Sequence, residues 1–113
     1  MNPTIAVIHQ NPAVVARIAT MLRDHGYTVE TACTESDALA IIRDDRPLVV
    51  VCDSEIDVFT AARGANRGHT KLIALVEDGR RVSYNRAVFR SFLDDPAPLS
   101  EIASACSDAL QTS

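Results

Sequence analysis

One run of residues constrains the fold of this 113-residue chain more than any other: LVVVC at residues 48–52. It is the most apolar and most β-branched stretch of the sequence, with Pro47 before it and Asp53 directly after it. A strand that is apolar at every position is buried on both faces, as in parallel sheets that helices cover on each side. The run therefore predicts the central strand of an α/β domain.

The rest of the chain alternates between strand-like and helix-like apolar patterns. Further strands are predicted at residues 4–8, 27–31, 72–76 and 91–93. The predicted helices are one from the N-cap Asn11 to Gly26, one from Thr34 to about 44, a weak one near 58–63, a short polar one at roughly 80–89, and one that opens at Pro98. Because connections between parallel strands are right-handed, this order predicts a single domain over residues 1–113 with a doubly wound, five-stranded parallel sheet of the flavodoxin-like (βα)5 type.

The composition excludes several other classes of protein. Hydrophobic residues make up 47% of the chain and charged residues 23%, and no stretch has the ~18 apolar residues that a membrane helix needs. A net charge of -4 argues against direct nucleic-acid binding, although seven basic and only two acidic side chains lie between residues 63 and 90. The three cysteines form no CxxC pair, and with no export signal they indicate reduced thiols in the cytoplasm.

Candidate functional residues lie at the predicted strand ends. In an open parallel sheet, ligands gather beyond the carboxyl ends of the strands, where the strand order reverses. Asp53 lies directly at that end of the central strand, where an unpaired carboxylate is costly to bury. The other candidates at the strand ends are His9, Gln10, Val76, Glu77, Asp94 and Asp95.

These segments resemble the receiver domains of bacterial response regulators over nearly the whole chain. TIAVIHQNP stands where that family has an apolar strand, an acidic pair and often a proline, and LVVVCDSEID stands where it has the strand that bears the phosphoacceptor Asp. Residues 92–96 match the aromatic, apolar and Lys-Pro close of the fifth strand. The resemblance implies a receiver fold with Asp53 at the phosphoacceptor position and Phe92 at the aromatic switch position. The connections on either side of the fourth strand are shorter than in typical receivers, so shortened third and fourth helices are expected.

The sequence departs from the family at the positions of the acidic pair. Receivers hold Mg²⁺ with that pair, the acceptor Asp and a backbone carbonyl that matches Glu55, whereas this chain has His9 and Gln10 in place of the pair. Mg²⁺ prefers carboxylate, carbonyl and water oxygens. We therefore expect no cofactor, with Mg²⁺ binding weak or absent.

Two further positions oppose phosphorylation. The family's hydroxyl residue after the fourth strand matches Val76, which cannot donate a hydrogen bond, and its lysine, identified by the neighbouring Pro96, matches Asp95. At ~4 Å and an effective dielectric near 20, a unit charge contributes on the order of 4 kcal/mol. Exchanging a cation for an anion therefore disfavours a phosphoryl group, and we expect Asp53 to be an inactive relic.

The resemblance and the departures together predict a degenerate receiver, a pseudo-receiver, that works in signal transduction by protein-protein interaction and not as an enzyme. The expected partner is another signalling protein, with a homodimer as a further option. The expected contact surface is the one receivers generally use, formed by the fourth helix, fifth strand and fifth helix. It includes Arg81, Tyr84, Arg86 and Phe92.

Two alternatives use the same residues differently. One is a phosphorylation-competent receiver, for example the input domain of a DNA-binding regulator. The other is a small flavodoxin-like enzyme in which His9 serves as a general base beside Asp53. Against the enzyme, the sequence has no glycine-rich phosphate loop, no nucleophile elbow and no metal-ligand spacing.

Overall fold

A computed structural model describes residues 4–45, 47–53, 70–76, 89–94 and 97–111 of the chain. The sheet has five strands: β1 (Thr4–Ile8), β2 (Thr28–Ala32), β3 (Val49–Asp53), β4 (Lys71–Val76) and β5 (Phe89–Asp94). All neighbouring strands pair in parallel, in the order β2-β1-β3-β4-β5. The described helices are α1 (Pro12–Asp24), α2 (Glu35–Asp45) and α3 (Leu99–Gln111). The predicted doubly wound parallel sheet is confirmed.

Helix α1 begins and ends at the residues that the sequence indicates. Asn11 is its N-cap, with a side-chain oxygen that accepts from Ala13 N at 3.0 Å. At the other end Gly26 adopts a φ of +91°, and the N–H groups of Gly26 and Tyr27 donate to the carbonyls of Arg23 and Leu22 at 2.9 and 3.3 Å. This pair of bonds is the Schellman arrangement, which satisfies carbonyls that the helix leaves open.

Four of the five strands start at a residue other than the predicted one. Strand β4 starts at Lys71, one residue earlier than predicted. Strand β2 starts at Thr28, one residue later than predicted, because Tyr27 N–H is already bonded to Leu22 O and belongs to the end of α1. Strand β3 starts at Val49, and Leu48 before it is 47% exposed. Strand β5 starts at Phe89, so the predicted fourth helix cannot reach that residue. The rest of that helix, the predicted third helix and the expected shortening of both lie outside the described residues.

The apolar residues of the sheet form two clusters, one on each face. The first joins β1, β2, β3 and β4 to α1 and α3 and contains Ile5, Val7, Val15, Ile18, Ala19, Leu22, Val29, Val49, Val51, Ile73, Leu75, Ile102, Cys106 and Ala109. The second packs the sheet's other face against α2 and contains Ala6, Ile8, Ala32, Ala38, Ile42, Val50, Cys52 and Leu72. Each of β1, β2, β3 and β4 supplies residues to both clusters, as expected of a parallel sheet that helices cover on both faces.

None of the helices in the described part of the chain is long and apolar enough to cross a membrane.

Candidate functional site

The strand register brings the predicted site positions to one edge of the sheet. Ile8 pairs with Cys52, so His9 follows β1 at the level where Asp53 ends β3. On the other side of β3, Asp53 pairs with Leu75, and Val76 follows Leu75 and pairs with Asp94 of β5. Neighbouring strands lie about 4.8 Å apart. The backbone positions of His9, Asp53 and Val76 are therefore within reach of one ligand at the carboxyl edge of the sheet.

The reversal of strand order falls between β1 and β3, the two strands that carry His9 and Asp53. The chain runs from β1 to β2 on one side and then crosses to β3 on the other. Connections diverge at such a switch point and leave a crevice, which is where ligands bind in open α/β sheets. The strand order thus reverses between the strands that precede His9 and end at Asp53, and the functional site there stays a prediction.

His9 is buried, with 7% of its surface exposed, and its ring makes a hydrogen bond to the backbone of the same chain. Its Nδ1 accepts a hydrogen bond from the backbone N–H of Asn11 at 3.0 Å. A ring nitrogen that accepts a hydrogen bond carries no proton, so the proton of the neutral ring lies on Nε2. The imidazole at this edge is therefore a neutral group.

The two residues at the acidic-pair positions do not offer the donor set of a magnesium site. The lone pair of His9 Nδ1 is directed at Asn11 N–H, and Gln10 is an exposed side chain whose only oxygen is a neutral amide. Mg²⁺ takes hard oxygen ligands, usually with one or two carboxylates among them. His9 and Gln10 supply no carboxylate, so these two residues do not fit a bound Mg²⁺.

Several predicted site residues are described only by their backbone or not at all. Asp53, Val76 and Phe92 lie in β3, β4 and β5, and the register above fixes their positions in the sheet. The residues that lie outside the described part of the chain are Glu55, Glu77, Arg81, Tyr84, Arg86, Asp95 and Pro96. The structure thus places the acceptor and acidic-pair positions together and does not test the predicted contact surface.

Asn11 takes part in two hydrogen bonds of this loop, and only one of them could be predicted from the sequence. Asn11 is recognisable as an N-cap, and its side chain does accept from Ala13 N–H. Its own N–H, however, donates to the ring of His9 two residues earlier. Asp, Asn, Ser and Thr are the residues expected to bond their neighbouring backbone in this way. The only available signal was the spacing of two residues between a histidine and the N-cap.

The three cysteines differ in accessibility. Cys33, directly after β2, is partly buried, whereas Cys52 and Cys106 are buried. Cys52 Sγ lies 3.7 Å from the carbonyl oxygen of Ile73, to which it donates. Burial among apolar groups raises the pKa of the Cys106 thiol from 9.0 to about 12, because the thiolate loses its hydration there. Cys106 is a core residue, and no disulfide joins the three cysteines.

An open groove of about 550 Å³ lies along the outer surface of α1, next to the start of α3. It is lined by Ala16, Arg17, Thr20, Met21, Asp24, His25 and Leu99. None of the predicted site residues is in that lining, so the groove is separate from the carboxyl edge of the sheet.

Comparisons with known proteins show which proteins this chain is similar to. No protein-family model matches the chain. A probable transcriptional regulatory protein, TcrX of Mycobacterium tuberculosis, is 32% identical over 81 residues, which cover 66% of this chain and 35% of that protein. The chain thus spans about a third of the length of this curated relative.

Solved structures agree over nearly the whole chain. A response regulator receiver domain protein from Clostridium thermocellum has a TM-score of 0.85 at 19% identity, with 95% of this chain and 93% of that chain covered. A receiver domain protein from Methanospirillum hungatei has a TM-score of 0.83 at 18% identity, with 97% and 94% covered. The chain has the receiver-domain fold.

The receiver fold confirms the fold that the resemblance in the sequence implies. Asp53 is the last residue of the central strand, as the matched motif implies for the phosphoacceptor position. His9 and Gln10 directly follow β1, at the positions matched to the acidic pair. The assignment of Asp53, His9 and Gln10 to the acceptor and acidic-pair positions stays a prediction from the sequence.

Proposed function

We propose that this receiver domain acts in signal transduction as a pseudo-receiver: it binds another signalling protein, and phosphorylation of Asp53 is not required. The observation that supports the proposal best is the state of His9. His9 is buried and its Nδ1 accepts from Asn11 N–H, whereas the sequence resemblance matches this residue to a metal-binding acid of the receivers.

The electrostatics of the matched positions point the same way. Phosphoryl transfer depends on positioning and on charge neutralisation of the phosphoryl oxygens. His9 and Gln10 replace two acids that hold Mg²⁺, Val76 replaces a hydroxyl, and Asp95 replaces a lysine. Each exchange removes a stabilising group or adds a repelling one, so we propose that Mg²⁺ binding is weak and that the domain is not an enzyme.

The contact surface proposed for the partner is the one that receivers generally use. It comprises α3, β5 and the segment before β5, with Arg81, Tyr84, Arg86 and Phe92 as candidate contact residues. Tyr and Arg are enriched at the energetic centres of protein interfaces. A second copy of this chain is an alternative partner for the same surface.

One observation favours a second candidate function, a phosphorylation-competent receiver. Asp53 is retained and ends the central strand at the switch point. If an unusual route supplied the phosphoryl group, this carboxylate would be the acceptor.

An NMR titration separates these two functions. We expect that Mg²⁺ with beryllofluoride, a phosphoryl mimic, leaves the amide signals of the carboxyl edge unchanged in the wild-type domain. Asp95→Lys alone is expected to behave like the wild type, because the acid pair and the hydroxyl are still missing. Saturable shifts around Asp53 that disappear in Asp53→Ala would instead establish the phosphorylation-competent receiver and refute the proposal.

A further inference from the structure

The loop between β1 and α1 is held by consecutive hydrogen bonds that pass through His9. The backbone N–H of His9 donates to Ala32 O at 3.2 Å and so ties the end of β1 to the end of β2. Asn11 N–H donates to His9 Nδ1 at 3.0 Å, and Ala13 N–H donates to Asn11 Oδ1 at 3.0 Å. These bonds join the edge of the sheet, the loop and the first turn of α1.

His9 makes a contact that Asp and Asn side chains usually make. In an Asx-turn, a side-chain oxygen accepts from the backbone N–H two residues further on. Nδ1 of His9 takes the place of that oxygen, and the same arrangement follows at once between Asn11 and Ala13. The imidazole thus supplies the acceptor of a carboxylate without its charge.

The acceptor atom, His9 Nδ1, belongs to a buried ring. Only 7% of His9 is exposed, so the ring lies packed inside the protein directly after β1. Gln10, between the two bonded residues, is exposed. The bond therefore fixes the backbone on both sides of a residue that faces solvent at the switch point.

We propose that His9 is a positioning residue that keeps the β1–α1 loop and the start of α1 in one conformation without a metal ion. The inference deepens the proposed function and rests on it in one respect: a domain that does not bind Mg²⁺ at this edge must order the loop with its own groups. The surface at the switch point is then preformed before any partner arrives.

The first test needs no variant. In the ¹⁵N-labelled wild-type domain, the imidazole nitrogens of His9 report their protonation by their chemical shifts and by their couplings to ring protons. We expect an unprotonated, hydrogen-bonded Nδ1 and a protonated Nε2 near neutral pH. The opposite tautomer would overturn the inference, since Nδ1 could not then accept from Asn11 N–H.

A pair of variants tests the positioning role by hydrogen exchange. His9→Leu keeps an apolar side chain of similar bulk but has no acceptor, whereas His9→Asn restores an acceptor at the same spacing. We expect the amide of Asn11 to exchange about tenfold faster in His9→Leu, the factor expected for one ordinary hydrogen bond, and to recover its protection in His9→Asn. The amide of Ile18, buried in the middle of α1, serves as the control for the fold.

Unchanged protection of Asn11 in His9→Leu, with Ile18 also unchanged, would refute the positioning role. Failure of the proposed function would appear in a different measurement, as saturable Mg²⁺ binding by the wild-type domain. The two results are independent, because the exchange experiments contain no metal.

Discussion

At the scale of single residues, Cys106 shows how burial alone decides the chemistry of a side chain. Its side chain is fully buried in the cluster between the sheet, α1 and α3, and its pKa is raised from 9.0 to about 12. Above pH 9, the thiol of the unfolded chain loses its proton while the folded thiol keeps it. The folded state then binds more protons than the unfolded state, so the stability contributed by this residue falls as the pH rises towards 12.

We predict that the free energy of unfolding of the wild type decreases relative to that of Cys106→Ala between pH 9 and pH 10.5. The slope of the difference approaches about 1.4 kcal/mol per pH unit, while Cys106→Ala itself loses some stability at every pH through the smaller side chain. Urea unfolding at a series of pH values measures both terms. Cys33→Ala, at a partly buried site, is the control. A difference between wild type and Cys106→Ala that is constant with pH would contradict the prediction.

At the same scale, His9 marks a limit of sequence-based prediction. The sequence predicts that His9 and Gln10 replace an acidic pair, and from that replacement it predicts a loss of metal-binding charge. The bond from Asn11 N–H to the ring is not visible, because histidine has no strong preference for bonding its neighbouring backbone and the contact depends on how the end of β1 is buried.

At the scale of elements, helix ends were predictable where a residue type has one dominant local role. Asn11, Thr34 and Gly26 each serve the end that their chemistry favours: Thr34 Oγ1, for instance, accepts from Asp37 N–H at 3.2 Å and caps α2. Strand ends were less predictable, since an apolar run does not tell where pairing begins. Leu48 belongs to the most apolar run of the chain, yet it precedes β3 and is 47% exposed.

The end of α1 gives a prediction at this scale. Gly26 has a φ of +91°, and a Cβ added there would meet no atom within 4 Å. The cost of Gly26→Ala is therefore conformational and not steric, about 1 kcal/mol. Gly26→Asn is expected to cost less, because Asn tolerates the left-handed region better. Urea unfolding of the three proteins checks this order.

An alanine variant as stable as the wild type would mean that α1 does not end in the Schellman arrangement in solution. A Tyr27 amide that exchanges rapidly in the wild type would point to the same conclusion, because Tyr27 N–H is one of the two bonds of that arrangement.

At the scale of the whole molecule, the fold could be predicted because five strand-like apolar runs alternate with five helix-like ones. The central strand is buried on both faces, right-handed crossovers follow from chirality, and together they leave little choice of topology. The position of the candidate site is predicted by the rule that ligands bind at the carboxyl ends of the strands, where the strand order reverses. Its charge and the proposed loss of phosphorylation remain predictions, because they depend on how the side chains of Asp53 and Asp95 act together.

The effect of Mg²⁺ on the Tm of the domain tests the proposed loss of phosphorylation on the whole molecule. A ligand that binds only the folded state stabilises it, by about 1.4 kcal/mol at a concentration tenfold above its Kd. We predict that MgCl₂ does not raise the Tm of the wild-type domain beyond the effect of NaCl at equal ionic strength. The double variant His9→Asp/Gln10→Asp brings three carboxylates to one edge, so it should melt lower without Mg²⁺ and gain roughly 5 °C when the ion binds.

The matched neutral variant is His9→Asn/Gln10→Asn, which keeps side chains of similar size without the charges and should show no response to Mg²⁺. Because an Asp at position 9 can accept from Asn11 N–H as the imidazole does, the acidic variant changes the charge of the loop more than its geometry. A wild-type Tm that rises with MgCl₂ as much as that of the acidic variant would mean that Asp53 and its neighbours hold the ion without the acid pair. The electrostatic basis of the pseudo-receiver proposal would then be wrong.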